Sequence, residues 1–492
     1  MWYSRKKAFL QSLLLLAVVI LSILHPIWPD KQTKVAAASP QTSFGYGIIA
    51  GENNYNLVEA MGFNWIKINL SWKTVEGTRG GPYDWSSSDA AVNTARSKGF
   101  AILMRIDDSP QWASGSSQFN APPIDDNDLA DFAYQVALHY RGQVQAYEIW
   151  NEPNLSVEWG NQPPNPIKYG QMLQALYPRV KQADPNALVI TGGLSTTGDI
   201  GSLYVYSDIE YIARLYDPNM DGDPSDGFKG YFDAIGSHPY GGPYPPDQDP
   251  WNPPNMGTYF RRAWQQHQMA QVWGHEDRQV WATEFGYLLN PATDGLSCDL
   301  GSHFDQMEVS EQQQADYLVA AYQYAKANWP WMGPMFLMTL DSSMDSYRPP
   351  CDTMRFWAIL RSDGSPRLAY TKLASMTAAM SPALALSTTQ IYAMVRPSEP
   401  NAITQQVSIS NSGAWSLSWN ATPSAGWISV SSASGLAPSV LTITMDKTGL
   451  PLGWTTGTVT INSNGGSQTI TLHLYIGNVQ RVYLPTISSQ SN

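Results

Sequence analysis

From Thr42 to Ala379 short apolar runs alternate with longer amphipathic ones, and the pattern repeats eight times. This repetition constrains the fold most, because strands separated by helices can pair only in parallel, through crossover connections. The candidate strands are Phe44–Ala50, Trp65–Leu70, Ala101–Ile106, Val144–Trp150, Ala187–Gly192, Ala234–His238, Gln279–Glu284 and Pro334–Leu340. Helices are expected at Asp126–Tyr140, Ile167–Gln182, Tyr259–Trp273 and Glu311–Ala327. In the first of these, Leu129, Phe132, Ala133, Val136, Ala137 and Tyr140 follow helical spacing. Eight such units predict an α/β fold, a (β/α)8 TIM barrel over residues 42–380. No glycine-rich phosphate turn follows the first strand, which weighs against an open doubly wound sheet.

After Ser381 lysine and arginine become rare, serine and threonine rise, and helical periodicity stops. Gln405–Ser410, Trp415–Trp419, Trp427–Val430, Val440–Met445, Gly457–Asn462 and Gln468–Tyr475 read as short strands between turns. A small all-β, Ig-like sandwich is expected over 385–476, followed by a loosely held tail at 477–492. Of the barrel loops, Tyr240–Asn255 is rich in proline, glycine and aromatics, and Asp217–Gly230 in aspartate and glycine. Both are expected to help build the site, since loops after barrel strands carry the chemistry.

The amino terminus places Arg5, Lys6 and Lys7 before an apolar run, Ala8–Leu24, and then Val35-Ala36-Ala37-Ala38-Ser39. This is the layout of a secretory signal over residues 1–38, with cleavage near Ala38. The run also reaches the roughly 17–25 residues an uncleaved anchor needs. Export makes an extracellular or cell-surface protein, with no stable membrane association once the signal is cut. Cys298 and Cys351 are the only cysteines, and in an exported protein an isolated pair predicts one disulfide. No histidine–cysteine cluster points to a metal, and no cofactor is expected.

Charged residues make up 14% of the chain, aromatics 12%, and the net charge is −12. An acidic chain with no basic stripe argues against nucleic acid as a partner. The many aromatic rings fit clefts that stack the C–H faces of a neutral polysaccharide or oligosaccharide. A monomer is expected.

The chemistry sits in two segments. Val144–Trp150 runs into Asn151-Glu152-Pro153-Asn154, and Gln279–Thr283 runs into Glu284-Phe285-Gly286. Two carboxylates delivered from separate strand ends are what cleavage of a glycosidic bond requires. Glu152 must hold a proton at neutral pH to act as an acid, which partial burial and a second carboxylate favour. Glu284 must stay ionised, which cationic or phenolic neighbours favour. Asn151 can hydrogen-bond a sugar hydroxyl beside the reacting carbon. Glu148 shares a strand face with Glu152 and is expected to be an inward partner without a catalytic role.

Ile149-Trp150-Asn151-Glu152-Pro153-Asn154 and Ala282-Thr283-Glu284-Phe285-Gly286 resemble the retaining (β/α)8 glycoside hydrolases of the large clan that holds families 5 and 39. The resemblance implies acid/base Glu152, nucleophile Glu284, and a carboxylate separation of roughly 5–5.5 Å. It also implies that Lys67 stands where the clan usually has an arginine beside the nucleophile. In His238-Pro239-Tyr240, the tyrosine would donate to the nucleophile. Trp112 of Pro110-Gln111-Trp112 would shape a sugar subsite. The strand Met335-Phe336-Leu337-Met338-Thr339-Leu340 lacks the clan's usual tryptophan floor, so Trp357 or Trp331 would serve instead. Ala425-Gly426-Trp427-Ile428-Ser429-Val430 resembles bacterial Ig-like modules of the BACON type. Trp415, Trp419 and Trp427 then serve either as core or as glycan-stacking surfaces.

The expected function is a secreted glycoside hydrolase that cleaves a β-linked polysaccharide or oligosaccharide with retention. The alternatives are a non-hydrolytic glycan-binding surface protein and a transglycosylase using the same pair.

Overall fold

The structure, a computed structural model, describes residues 42–197, 204–249, 258–342 and 349–477. The expected signal segment, the tail beyond Gly477 and part of the loop after Tyr240 lie outside the described residues. Eight parallel strands form a sheet: β1 (Tyr46–Ile49), β2 (Trp65–Ser71), β3 (Ala101–Asp107), β4 (Ala146–Ile149), β5 (Leu188–Thr191), β6 (Ala234–His238), β7 (Gln279–Phe285) and β8 (Met332–Leu337). Neighbours run β5-β4-β3-β2-β1-β8-β7-β6, and pairing of Ile190 with Ala234 closes the barrel. Each expected strand is present. The eighth sits earlier than expected and ends at Leu337, ahead of a cis peptide between Met338 and Thr339.

Two layers fill the barrel interior. Trp65, Leu103, Ala146, Ile190, Trp281 and Phe336 belong to an apolar plug. Two residues further along β2, β3 and β4, on the same face by the strand period of two, stand Lys67, Arg105 and Glu148. A charged layer therefore rests directly on the apolar one. Helices cover the outside through a larger apolar cluster. Among them, α1 (Asp126–His139) is capped by the Asp125 side chain, and α2 (Glu311–Asn328) begins with a Ser310–Gln313 capping box.

The carboxyl-terminal module is a sandwich of a four-stranded and a five-stranded sheet among the described residues. Short strands at Leu384–Leu386, Gln390–Val395 and Ser434–Leu436 add to the expected set. The expected strand Trp415–Trp419 is mostly loop, and Ser418–Pro423 takes its place. Trp415 N–H donates to Gly62 O at 2.8 Å, and its indole N–H donates to Thr377 O at 3.0 Å. Trp419 is buried in the sandwich core and Trp427 packs against it. Of the three tryptophans, Trp419 is buried, and Trp415 and Trp427 are half-buried in these contacts.

Trp415, with Asn64 Nδ2 donating to Gly413 O at 2.9 Å and Ser416 Oγ to Lys98 O at 2.8 Å, docks the sandwich on the barrel. Gly62, Asn64 and Lys98 precede β2 and β3, so the sandwich covers the amino-terminal mouth, opposite the strands' carboxyl ends. Gly62 has φ +70, and a Cβ there would come within 2.8 Å of the Trp415 ring. Gly62→Ala is therefore expected to cost about 1–3 kcal/mol. Urea unfolding checks this, and an unchanged midpoint would remove Gly62 from the docking argument.

The loop Asp217–Gly230 departs from expectation. It follows the helix Asp208–Tyr216 and precedes β6, so it turns at the amino-terminal mouth. The Asp217 carboxylate accepts from the backbone N–H of Asp221 and Gly222 and closes the loop on itself.

Candidate active site

The carboxyl ends of the strands open into a cleft of about 1000 Å³, lined by Asn151, Glu152, Tyr240, Glu284, Met338 and Trp357, among others. After β4 the chain turns sharply, with Trp150 at φ 75 and Glu152 at φ 36. Such angles are costly for side chains other than glycine and persist only where the surroundings hold them. Here Trp150 Nε1 donates to Glu158 O at 2.8 Å, Glu152 N–H to Gly193 O at 3.1 Å, and Asn154 bridges to Ser195. The result lifts Glu152 off the strand and into the cleft.

Glu284 reaches the same place by a different device. Trp281 belongs to the interior plug, so strict alternation would point Phe285 inward as well. Instead the register of β8 against β7 slips between the pairs Met335–Ala282 and Leu337–Phe285. Phe285 turns outward onto Phe260 and Tyr322, and Glu284 lines the cleft. A bulge that re-aims one side chain is a common device beside functional sites.

Glu284 Oε1 accepts from Lys67 Nζ at 3.0 Å and Arg105 Nη1 at 3.2 Å, while Tyr240 O–H donates to Oε2 at 2.9 Å. Burial opposes its charge, but His238, Lys67 and Arg105 outweigh burial and hold the carboxyl far below the usual range. His238 Nδ1 lies 3.0 Å from Glu152 Oε1 and 3.8 Å from Glu284 Oε2. One imidazole nitrogen therefore touches one carboxylate and approaches the other. Beneath them Glu148 lies 2.7 Å from Lys67 Nζ and accepts from Gly193 N–H at 3.0 Å. Burial works against the Glu148 carboxylate, yet Lys67, His238 and Arg105 bring it down to about 2. Gly193 is required here, because a Cβ would come within 2.2 Å of the His238 ring.

Burial also disfavours the His238 cation, but Glu284, Glu148 and Glu152 push it up from 6.5 to about 9. A folded value above the unfolded one means that its stabilisation is complete below pH 6.5 and is lost as pH rises through about 9. The urea midpoint is expected to fall across that window, and His238→Gln should lack the fall. An identical decline in both proteins would assign the pH dependence to other groups.

Of the residues named from sequence, Glu152, Glu284, Asn151, Tyr240 and Trp357 line the cleft. Trp357 packs on Tyr240 with ring centroids 4.8 Å apart. Trp331 stacks on His267 instead, at 4.2 Å, and does not line the cleft. Lys67 and His238 are buried below the cleft and hold carboxylates, so they are positioning residues. Trp112 does not line the cleft: its indole N–H donates to Glu76 O at 3.2 Å and its ring meets Trp72 edge-on. Arg105 was missed. It donates to both Glu284 and Asn151, the latter at 2.8 Å, and pairs with Asp107 at 2.9 Å. An arginine two residues after Leu103 in an otherwise apolar strand was the available signal. Cys298 and Cys351 are bridged, with Cα atoms 5.4 Å apart, and tie the loop after β7 to the loop after β8.

No curated protein matches the chain. Among solved structures, a family 39 glycoside hydrolase from the gut symbiont Bacteroides cellulosilyticus WH2 is 17% identical with a TM-score of 0.52. It covers 82% of this chain, and the match spans 81% of its own. A glucosidase from Croceicoccus marinus is 14% identical (TM-score 0.48), the match covering 69% of this chain and 68% of that one. A thermostable mutant xylanase from Cellvibrio japonicus is 17% identical (TM-score 0.45), covering 68% and 98%. The first likeness supports the barrel fold. A viral BACON domain matches residues 385–476. The cellulase family, glycosyl hydrolase family 5, matches residues 31–333, more than half of the sequence. With that match and a barrel whose mouth holds two buried-edge carboxylates, the chain belongs to glycosyl hydrolase family 5 and is a glycoside hydrolase.

Proposed function

We propose that this glycoside hydrolase is secreted and cleaves a β-linked polysaccharide or oligosaccharide with retention, using Glu152 as acid/base and Glu284 as nucleophile. The observation that carries the reading is the single His238 nitrogen, 3.0 Å from one carboxylate and 3.8 Å from the other. It favours the close pair of double displacement, roughly 5–5.5 Å, over the gap of roughly 6.5–9.5 Å that admits a water in inversion.

In the first step Glu284, kept ionised by Lys67, Arg105 and Tyr240, attacks the anomeric carbon. Glu152 gives its proton to the departing oxygen, and a glycosyl ester forms on Glu284. Glu152, now ionised, takes a proton from water as that water attacks the same carbon and frees Glu284. Asn151, oriented by Arg105, offers a hydrogen bond to the hydroxyl next to the reacting carbon.

The test uses the mature protein on β-glucans, xylans, mannans and galactans, with proton NMR of the first product formed. Release of the β-anomer supports the proposal. First release of the α-anomer would show inversion and overturn the nucleophile role. No release from any polymer by folded protein would favour glycan binding without hydrolysis.

A further inference from the structure

Phe119 lines the cleft and is 52% exposed, although a ring of this size normally gains by burial. The next residue, Asn120, is buried at φ 50. Its Oδ1 accepts from Asp108 N–H at 2.8 Å, and its Nδ2 donates to Glu158 Oε2 at 2.8 Å. A second bridge joins the same two loops, from Asn161 Nδ2 to Gln118 Oε1 at 2.7 Å. The Glu158 carbonyl is held by the Trp150 indole. The segment that carries the Phe119 ring and the one that carries the Glu158 carboxyl are thus clamped together at the cleft wall by bonds between the β3 and β4 loops. Among the described residues no protein donor meets Glu158 Oε1.

We propose that this wall is a saccharide-binding subsite for the leaving-group half of the substrate, with the Phe119 ring as platform and the Glu158 carboxyl as polar anchor. The assignment rests on Glu152 being the acid. An acid that protonates the departing oxygen has the leaving sugar beyond it, on the side away from the nucleophile. Phe119 and Glu158 come from that side: Phe119 belongs to the loop after β3, which lies across the barrel from the β7 strand of Glu284, and Glu158 follows Glu152 in the loop after β4. The opposite wall, at Tyr240 and Trp357, belongs to Glu284. The ring offers its face to sugar C–H groups, and the carboxyl offers a hydrogen bond to a hydroxyl. Burial, opposed by the Asn120 hydrogen bond and reinforced by the Glu152 charge, pushes the Glu158 carboxyl up to about 7. Near neutrality it can therefore both accept and donate.

The experiment compares Phe119→Ala and Glu158→Ala with wild type on two kinds of probe. One is the hexasaccharide that wild type cleaves, from a gluco-, xylo-, manno- and galacto-hexaose set. The other is the matching β-biosyl fluoride, whose one-atom leaving group needs no such subsite. Each variant is expected to lose about tenfold or more in kcat/KM on the hexasaccharide and less than about twofold on the fluoride. Equal losses on both probes, or no loss on the hexasaccharide, would overturn the subsite. Glu152→Gln runs beside them. If it cleaves the hexasaccharide normally, the acid assignment falls and the subsite with it. If it is inactive there while both wall variants behave as wild type, the subsite alone falls.

Discussion

Glu284→Gln is expected to lower kcat by about 10⁴- to 10⁶-fold while leaving the fold intact, because it removes the atom that bonds to the sugar. Glutamine keeps the volume, and its carbonyl oxygen can still accept from Lys67 and Arg105, which lie 3.0 and 3.2 Å from Oε1, while its amide nitrogen cannot accept from the Tyr240 hydroxyl, 2.9 Å from Oε2. Losing the negative charge does weaken those three contacts, so substrate binding and circular dichroism are measured with the rate. The expected pattern is collapsed kcat, retained structure and measurable binding of the intact oligosaccharide. Residual turnover within about a hundredfold of wild type would sink the nucleophile assignment, since a missing nucleophile cannot be bypassed that cheaply.

Lys67→Met has the largest expected effect on stability. The ammonium lies 2.7 Å from Glu148 and 3.0 Å from Glu284, with both carboxylates in the barrel interior. Methionine fills the space but leaves two buried carboxylates facing each other without that cation. Breaking a buried pair by removing one partner costs roughly 3–5 kcal/mol, most of it from the charge left behind. The double variant Lys67→Met/Glu148→Gln is expected to recover a substantial part of the loss, because the stranded charge is then gone as well. Urea unfolding of the single and double variants closes the cycle. A loss below about 1 kcal/mol in Lys67→Met would mean that Arg105 and His238 alone balance the carboxylates.

Both expectations follow from how the charged layer is built. Lys67, Arg105 and Glu148 each sit two residues beyond a member of the apolar plug, Trp65, Leu103 and Ala146. That spacing is visible in the sequence as a charged residue inside an apolar strand; for Glu148 it implies an inward-facing side chain, while Lys67 enters through the resemblance. Arg105 carries the same signature. The barrel and the two strand-end glutamates were likewise legible, because strand period and strand-end position are local properties, whereas His238 at the end of β6 and Tyr240 just beyond it came from the resemblance. Trp112 was not placed correctly. Its neighbourhood is set by Trp72 and Arg79 from another loop, and no local pattern encodes such a contact.

The sequence by itself determined the alternating order, hence the closed parallel barrel, and which two carboxylates stand at the ends of the fourth and seventh strands. Period-two and period-3.6 burial are enforced residue by residue, so they leave a trace in the chain. Only the tertiary structure decided how those carboxylates are aimed and held. A register slip between β7 and β8 turns Glu284 inward against strict alternation, and a left-handed turn lifts Glu152 off its strand. His238 then meets both from a third strand. Tertiary packing also decided that the sandwich docks by Trp415 at the mouth opposite the cleft. Each of these depends on groups far apart in the chain meeting under close packing, and the free energy of such meetings has no period along a sequence.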